Sequence, residues 1–199
     1  MNVVFIMFNS LKIKRLTSKM RKLLLVEKDY NKTIECADSI LEYDKNNVEV
    51  LKYKYNSLTN LELYDDALDC VNKIMDLEPS GMALVNKGTT LCLLENYEEG
   101  FKILDNVIEN YPEYEIAFLN KGNFLYNLGN FDELLNLSER FLESHPNCSS
   151  AYDVKASVFI RKKDFESALK CVEDALYYDP DYEIAIERKE YVLSELERK

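Results

Sequence analysis

The sequence predicts an all-α fold, a solenoid of about five helix–turn–helix repeats followed by a C-terminal capping helix. The 199-residue chain has four prolines, which lie 33, 34 and 34 residues apart at Pro79, Pro112, Pro146 and Pro180. An aromatic residue precedes each proline by 15 residues. Apolar residues recur at helical spacing between these markers. A fixed period of this length is typical of helical repeats.

The composition fits helices packed around a core. Hydrophobic residues make up 47% of the chain, and only 5 glycines and 4 prolines are present, which favours helix over irregular structure. The cysteine count is five, an odd number without a CxxC pair. Cys36, Cys70 and Cys171 share one position of the repeat, so we expect them about 8–10 Å apart, too far for a disulfide. The cysteines therefore predict buried free thiols and a cytoplasmic location.

The net charge of −11 is unevenly distributed. Residues 1–32 contain eight cationic and two anionic side chains, a net charge of +6, which leaves −17 for residues 33–199. Phosphate backbones repel an acidic protein body. The sequence therefore predicts no nucleic-acid partner.

Residues 1–13 are predicted to be an apolar and basic N-terminal tail. The apolar run Val3–Phe8 has no basic segment before it and no small-residue cleavage site after it, which argues against a signal peptide. Three interpretations of the basic segment 1–32 remain open. It is a loose terminus leading into a capping helix, a segment that docks on an acidic partner such as a second copy, or a membrane contact through residues 1–22.

The repeats follow in order from the proline positions. We expect units at 14–47, 48–80, 81–114, 115–148 and 149–182. Within each unit a first helix leads through a short polar turn into a second helix. Acidic residues after the turn, such as Glu98 and Glu99, favour a helix N-terminus. The proline ends the second helix, because it lacks an N–H and has a fixed φ.

Side-chain sizes recur at defined positions of the unit. Small residues stand where paired helices would cross, first at Gly88, Gly122 and Ala156, and early in the second helix at Ala67, Gly100 and Ala168. A bulky residue recurs at Leu24, Leu58, Leu91, Leu125 and Phe159. The aromatic residue of the turn recurs at Tyr30, Tyr64, Tyr97, Phe131 and Phe165.

Over about 170 residues this pattern resembles the tetratricopeptide repeat (TPR) family. The resemblance implies a right-handed superhelix whose first helices line a concave groove. Among the departures from it, Arg21, Tyr55 and Leu134 stand where the family prefers small residues. Residues 183–199 are expected to form the capping helix and to cover the last hairpin with the apolar residues Ile184, Ile186, Tyr191, Val192 and Leu196.

No motif in the sequence predicts catalysis, a metal or a cofactor. His145 is the single histidine and precedes Pro146, where a cation interacts with the carbonyl groups at the end of a helix. Phosphate-binding loops and the usual nucleophile and zinc motifs are missing. The recurring acidic pairs are interpreted as solvated helix starts. The sequence therefore predicts a protein that is not an enzyme.

The resemblance places a peptide-binding groove on the first helices of the central repeats. Its candidate residues are Lys52, Tyr53, Asn56, Met82, Val85, Asn86, Thr89, Ile116, Leu119, Asn120, Asn123 and Tyr126. We also expect Asp153 of the last repeat to face it. The asparagines have two interpretations. They form a ladder that binds the backbone of an extended peptide, as in other TPR proteins, or they make hydrogen bonds between repeats.

A carboxylate clamp is the other TPR binding mode. Lys52, Asn56 and Asn86 match three of its residues, but Ile116 and Asn120 stand where two cations are needed. The predicted function is therefore non-catalytic binding of a peptide or protein in the groove. The alternatives are a structural or self-associating subunit that uses its outer face or its N-terminal basic arm, and an accessory domain of an enzyme.

Overall fold

The computed structural model of the chain describes the backbone of residues 3–198 and the side chains of residues 11–198. The side chains of the apolar run Val3–Phe8 lie outside the described residues. Within the described range a π-helical turn, Leu23–Glu27, follows the first of eleven α-helices. These helices are α1 (Val3–Lys22), α2 (Tyr30–Leu41), α3 (Val48–Asn60), α4 (Tyr64–Leu77), α5 (Gly81–Leu93), α6 (Tyr97–Asn110), α7 (Glu115–Asn127), α8 (Phe131–Ser144), α9 (Ser149–Arg161), α10 (Phe165–Tyr178) and α11 (Glu183–Glu197).

The helices confirm the all-α repeat fold. They pair in sequence order as hairpins, α1 with α2 through α9 with α10, and α11 follows alone. The first helix begins at Val3, ahead of the start of the repeats at residue 14 that the sequence suggests. The chain divides into two compact units, Met1–Tyr111 with α1 to α6 and Pro112–Lys199 with α7 to α11.

Each proline follows the end of a second helix by two residues, as the sequence predicts. Helix α4 ends at Leu77 and α6 ends at Asn110, before Pro79 and Pro112. The segment between α4 and α5 has three residues, whereas four residues separate α8 from α9. The single 33-residue interval therefore corresponds to one shorter link, and its Ser80 accepts a hydrogen bond from the Ala83 N–H at the start of α5.

Glycines allow the two helices of the third hairpin, α5 and α6, to approach closely. A Cβ atom added to Gly100 would lie 2.4 Å from the Cys92 sulfur and 2.8 Å from the Gly88 carbonyl oxygen. A Cβ atom on Gly88 would lie 3.1 Å from the Gly100 carbonyl oxygen. The two helices thus approach through bare backbone, which is the crossing that the size pattern predicts.

Tyr55, one of the departures from the family pattern, has a structural role. Its side chain is only 5% exposed. The hydroxyl donates a hydrogen bond to the Asn86 carbonyl oxygen at 3.1 Å and lies 3.0 Å from the Thr90 hydroxyl. A large residue at this position therefore joins the first helices of consecutive hairpins, α3 and α5.

The capping helix α11 covers the last hairpin differently from the sequence prediction. Ala185 and Val192 are fully buried, and Leu196 packs against the cluster around Phe165. The prediction was right for Val192 and Leu196 but wrong for Ile184 and Ile186, which are 50% and 40% exposed. The helix is rotated so that Ala185 and Val192, seven residues apart, face inward. Tyr191 is 48% exposed and contacts the edge of Phe165.

The glycine crossing can be tested with a matched pair of variants. Gly100→Ala should lower the free energy of unfolding by about 1–3 kcal/mol, because the added methyl group meets backbone and sulfur atoms. Gly122→Ala should change it by less than about 1 kcal/mol, since its nearest neighbour would be a Leu134 side-chain carbon at 3.3 Å and alanine favours helix. Urea denaturation of both variants measures this. Equal losses would contradict the crossing.

Candidate functional site

A pocket of about 340 Å³ lies between α3 and α5, in the first unit. We call it the α3–α5 pocket, and its lining residues are Lys52, Tyr55, Asn56, Ile74, Ser80, Met82, Ala83 and Asn86. Four of them are groove candidates from the sequence. Sequence reasoning did not place Tyr55, Ile74, Ser80 or Ala83 in the site, although the short link at Ser80 was a signal.

Helical spacing brings the predicted residues together. Lys52 and Asn56 are four residues apart on α3, and Met82 and Asn86 are four residues apart on α5, so each pair shares one helix face. The hydrogen bond from Tyr55 to the Asn86 carbonyl holds α5 against α3. The two faces therefore line one pocket.

The amide groups of Asn56 and Asn86 are available for a ligand. Both residues take part in hydrogen bonds through their backbone carbonyl groups. The Asn56 carbonyl accepts from the side chains of Thr59 and Asn60. The Asn86 carbonyl accepts from the hydroxyls of Tyr55 and Thr90. Neither side-chain amide is bonded to another described residue. At these two positions the asparagines do not make the hydrogen bonds between repeats that one interpretation expects. Asn120, at the same repeat position in α7, is engaged within the chain.

The charge of Lys52 is shared with an acidic neighbour. Its ammonium group lies 2.9 Å from the Glu78 carboxylate, and both side chains are about half exposed, 49% and 55%. An exposed ion pair of this kind contributes about 0–1 kcal/mol. A ligand can displace so weak a pair, so Lys52 stays available at the pocket.

Three other candidates on α3 and α5 are less available than the sequence suggests. Val85 is 1% exposed, so its side chain is part of the core and the prediction that it faces a ligand was wrong. The Tyr53 hydroxyl accepts a hydrogen bond from Arg21 at 3.0 Å. Thr89 is half-buried and engaged within the chain.

The second unit presents its own candidates on α7. Ile116 is 40% exposed and Asn123 is exposed, whereas Leu119 and Asn120 are half-buried. Tyr126 packs edge-on against Phe131, with ring centroids 5.5 Å apart. The α7 surface therefore combines one accessible apolar side chain with one accessible amide.

Asp153 does not face a groove, because it is buried and paired. Both of its carboxylate oxygens accept hydrogen bonds from Arg188 of α11, one of them at 3.1 Å. Its side chain is only 9% exposed. Burial raises the pKa of Asp153, and the Arg188 guanidinium partly offsets that effect. The pair fastens the capping helix to α9.

The cysteines are mostly core residues, as the sequence predicts. All five are free thiols, and every one except the half-buried Cys148 is buried. Burial raises the pKa of both Cys70 and Cys171 to about 11. Since the thiolate is the reactive species, these side chains act as small hydrophobic groups.

The single histidine makes structural contacts at the end of a helix. The His145 ring stacks on Phe141 and its Nδ1 lies 3.2 Å from the Phe141 carbonyl oxygen, at the C-terminus of α8. No group of His, Cys, Asp and Glu among the described residues could hold a metal ion. No described helix has both the length and the apolar character of a membrane span.

A comparison with protein families finds a repeat at the position of the last hairpin. The family model "Tetratricopeptide repeat" matches residues 149–182, the fifth predicted unit. A comparison with curated proteins found no match.

Solved structures share the fold over most of the chain. PilW, a type IV pilus biogenesis factor, has a TM-score of 0.65 at 19% identity, covering 98% of this chain and 87% of its own. MamA has a TM-score of 0.63 at 20% identity, covering 86% and 95%. YrrB, described as a TPR protein with an unusual peptide-binding site, has a TM-score of 0.55 at 24% identity, covering 85% and 88%. At these identities the likeness establishes the fold.

The Asp153–Arg188 pair can be tested by changing one partner or both. Arg188→Met leaves a buried carboxylate without a partner, so the free energy of unfolding should fall by about 3 kcal/mol. The double variant Asp153→Leu with Arg188→Met should recover most of that loss, because it removes both charges. Urea denaturation measures both. A double variant as unstable as the single one would show that the contribution comes from Arg188 packing.

The buried thiols predict a loss of stability at alkaline pH. An unfolded cysteine releases its proton near pH 9, whereas folded Cys70 and Cys171 keep theirs until about pH 11. Their contribution is therefore present below pH 9 and is lost as the pH rises to 11. The free energy of unfolding should fall more steeply over this range in the wild type than in Cys70→Ala with Cys171→Ala. Parallel curves would contradict the assignment.

Proposed function

We propose that this tetratricopeptide-repeat protein is a non-catalytic interaction module that binds an extended peptide or protein segment in the α3–α5 pocket. The observation that carries the proposal is that Asn56 and Asn86 line one pocket with both amides unbonded to other described residues. Asn56 is exposed and Asn86 is half-buried, so solvent reaches these amides in the free protein. A peptide group can replace that solvent without breaking a hydrogen bond of the fold.

The chemistry of the pocket suits a peptide backbone. An asparagine amide both donates and accepts, so it can pair with a peptide group whatever the peptide side chains are. Met82 is 42% exposed at the edge of the pocket and is flexible enough to accommodate apolar side chains of different shapes. Backbone pairing would supply affinity, and contact with Met82 would supply a preference for an apolar side chain.

The α7 surface is proposed as a second contact in the other unit. Asn123 occupies the repeat position of Asn56, and Ile116 occupies that of Met82. Leu119, Asn120 and Tyr126 complete this proposed surface. The same combination of one amide and one apolar side chain thus occurs in each unit.

The net charge indicates the class of partner, and the buried thiols indicate the compartment. We propose a protein partner and not a nucleic acid, because residues 33–199 carry a net charge of −17. The buried thiols support a reducing compartment, and on that basis we propose the cytoplasm. The published description of YrrB as peptide-binding is in keeping with the proposal.

An alternative function is a structural or self-associating subunit. The observation that favours it is the concentration of cationic side chains on α1, because 12–22 contains six Lys and Arg residues and no acidic residue. This surface is separate from the α3–α5 pocket, so the two functions are compatible.

Loss of the two amides should weaken binding without weakening the fold. We expect Asn56→Ala with Asn86→Ala to raise the Kd of the best binder from an array of random 12-residue peptides by at least about tenfold, as two lost hydrogen bonds imply. The melting temperature should stay within about 2 °C, since neither amide is bonded in the free protein. Fluorescence anisotropy and thermal melts measure these effects.

The matched control replaces two exposed asparagines of second helices, Asn106→Ala with Asn136→Ala, and should bind like the wild type. The proposal fails if this control loses as much affinity, if the α3–α5 variant unfolds, or if no peptide in the array binds.

A further inference from the structure

A second and larger cavity, of about 570 Å³, lies in the first unit between α2 and α4. We call it the α2–α4 groove. Residues from α2, α3, α4 and the turn before α4 line it, namely Asn31, Ile34, Glu35, Asp38, Leu41, Leu51, Lys54, Leu58, Leu63, Asp66, Asp69, Cys70 and Lys73. Leu51 and Leu58 of α3 are 2% and 3% exposed and belong to the core beneath the groove. The half-buried Ile34 and Leu41 of α2 pack on that core and give the floor its apolar surface.

The walls of the α2–α4 groove are acidic. Four carboxylates line it against two lysines, and Lys54 is already paired with Asp38. Glu35 on α2 and the residues Asp66 and Asp69 on α4 are exposed. These three carboxylates form no ion pair with another described residue. The groove therefore presents unpaired negative charge on both walls above an apolar floor.

Helix α1 carries the complementary charge on its outer side. Ile13, Leu16 and the fully buried Met20 pack inward. On the opposite side, the exposed residues Lys14, Arg15 and Lys19 have no acidic partner among the described residues. We call these three residues the cationic face.

The remaining cations of α1 are engaged within the chain. Lys12 donates to the Tyr43 hydroxyl, Arg21 pairs with Glu49, and Lys22 pairs with Glu27. The cationic face is thus the part of α1 that is left for another molecule.

We propose that the cationic face of α1 docks into the α2–α4 groove of a second copy of this chain. Long Lys and Arg side chains suit such a groove, since their aliphatic stems can lie on the apolar floor while the charged ends reach the carboxylates of the walls. The dimensions agree. The part of α1 with described side chains, Leu11–Lys22, is about 18 Å long, and the α2 wall from Asn31 to Leu41 is about 16.5 Å long at 1.5 Å per residue.

The proposed contact joins two different surfaces of neighbouring copies. Within one chain α1 packs through its apolar side, so its cationic face points away from its own core. Each copy then carries one donor face and one acceptor groove at different places. Such a heterologous contact forms a ring if the rotation closes and an open chain if it does not. The proposal is independent of peptide binding in the α3–α5 pocket.

Complementary charge reversals test the contact. The donor variant is Lys14→Glu, Arg15→Glu and Lys19→Glu, and the acceptor variant is Glu35→Lys and Asp69→Lys. All five residues are exposed, so both variants should fold, which circular dichroism checks. Sedimentation velocity of the wild type in 50 mM salt should show assemblies that grow with concentration. Each variant alone should sediment as a monomer of 23.3 kDa.

An equimolar mixture of the two variants is the decisive sample. The donor variant keeps an intact groove, and the acceptor variant keeps an intact cationic face. Two complementary contacts are possible between them, the intact cationic face with the intact groove and the reversed face with the reversed groove. The mixture should therefore regain the assembly that each 23.3 kDa variant lacks alone. Its Kd should rise by at least about tenfold between 50 and 500 mM salt, because the contact is ionic.

Two controls separate this contact from general charge effects and from the α3–α5 pocket. Lys102→Glu, Lys163→Glu and Lys170→Glu make the same change in net charge elsewhere and should assemble like the wild type. Asn56→Ala with Asn86→Ala should also assemble like the wild type.

Several outcomes would overturn the proposal. They are a wild type that stays monomeric in 50 mM salt, a mixture of variants that does not assemble, and a control that loses assembly equally. A monomeric wild type that floats with phosphatidylserine vesicles, in contrast to the donor variant, would assign the cationic face to a membrane instead.

Discussion

The close crossing of paired helices is the constraint on which the rest of the structure depends. Gly88 and Gly100 bring the backbones of α5 and α6 into contact, because a side chain on either would overlap the opposite helix. That approach fixes which side of α5 packs on α6 and which side remains for its neighbour α3. A repeat protein buries its apolar surface only between neighbouring units. The geometry of this crossing therefore decides which residues of α5 are core and which can meet a ligand.

The α3–α5 pocket is a consequence of that stacking. Tyr55 takes a position where the family prefers a small residue, and its hydroxyl bonds to the backbone of α5 at Asn86. The backbone carbonyl of Asn86 is thus occupied while its amide is left over. The three-residue link before α5 places Ser80 at the pocket edge. Two local departures from the repeat, a large residue and a short link, together make this pair of hairpins different from the others.

Periodic features were predictable from the sequence, and pairwise features were not. The prolines and turn aromatics predict the helices because they act within one hairpin. The same register also brought Lys52, Asn56, Met82 and Asn86 to one pocket. It failed for Val85 and Asp153, because a small rotation of a helix decides whether a side chain points to the core or to solvent. The Asp153–Arg188 pair joins the last hairpin to the capping helix over 35 positions of the chain, so no feature within one repeat reveals it.

The central claim is that Asn56 and Asn86 offer free amides to a peptide, and NMR of their side-chain NH₂ groups tests it most directly. In a ¹⁵N-labelled protein titrated with a bound peptide, we predict that the Asn56 and Asn86 side-chain signals shift and that their hydrogen exchange slows. The Asn106 and Asn136 signals should stay unchanged. Saturating binding that leaves the Asn56 and Asn86 signals in place, or that shifts the signals of α2 and α4 instead, would contradict the account.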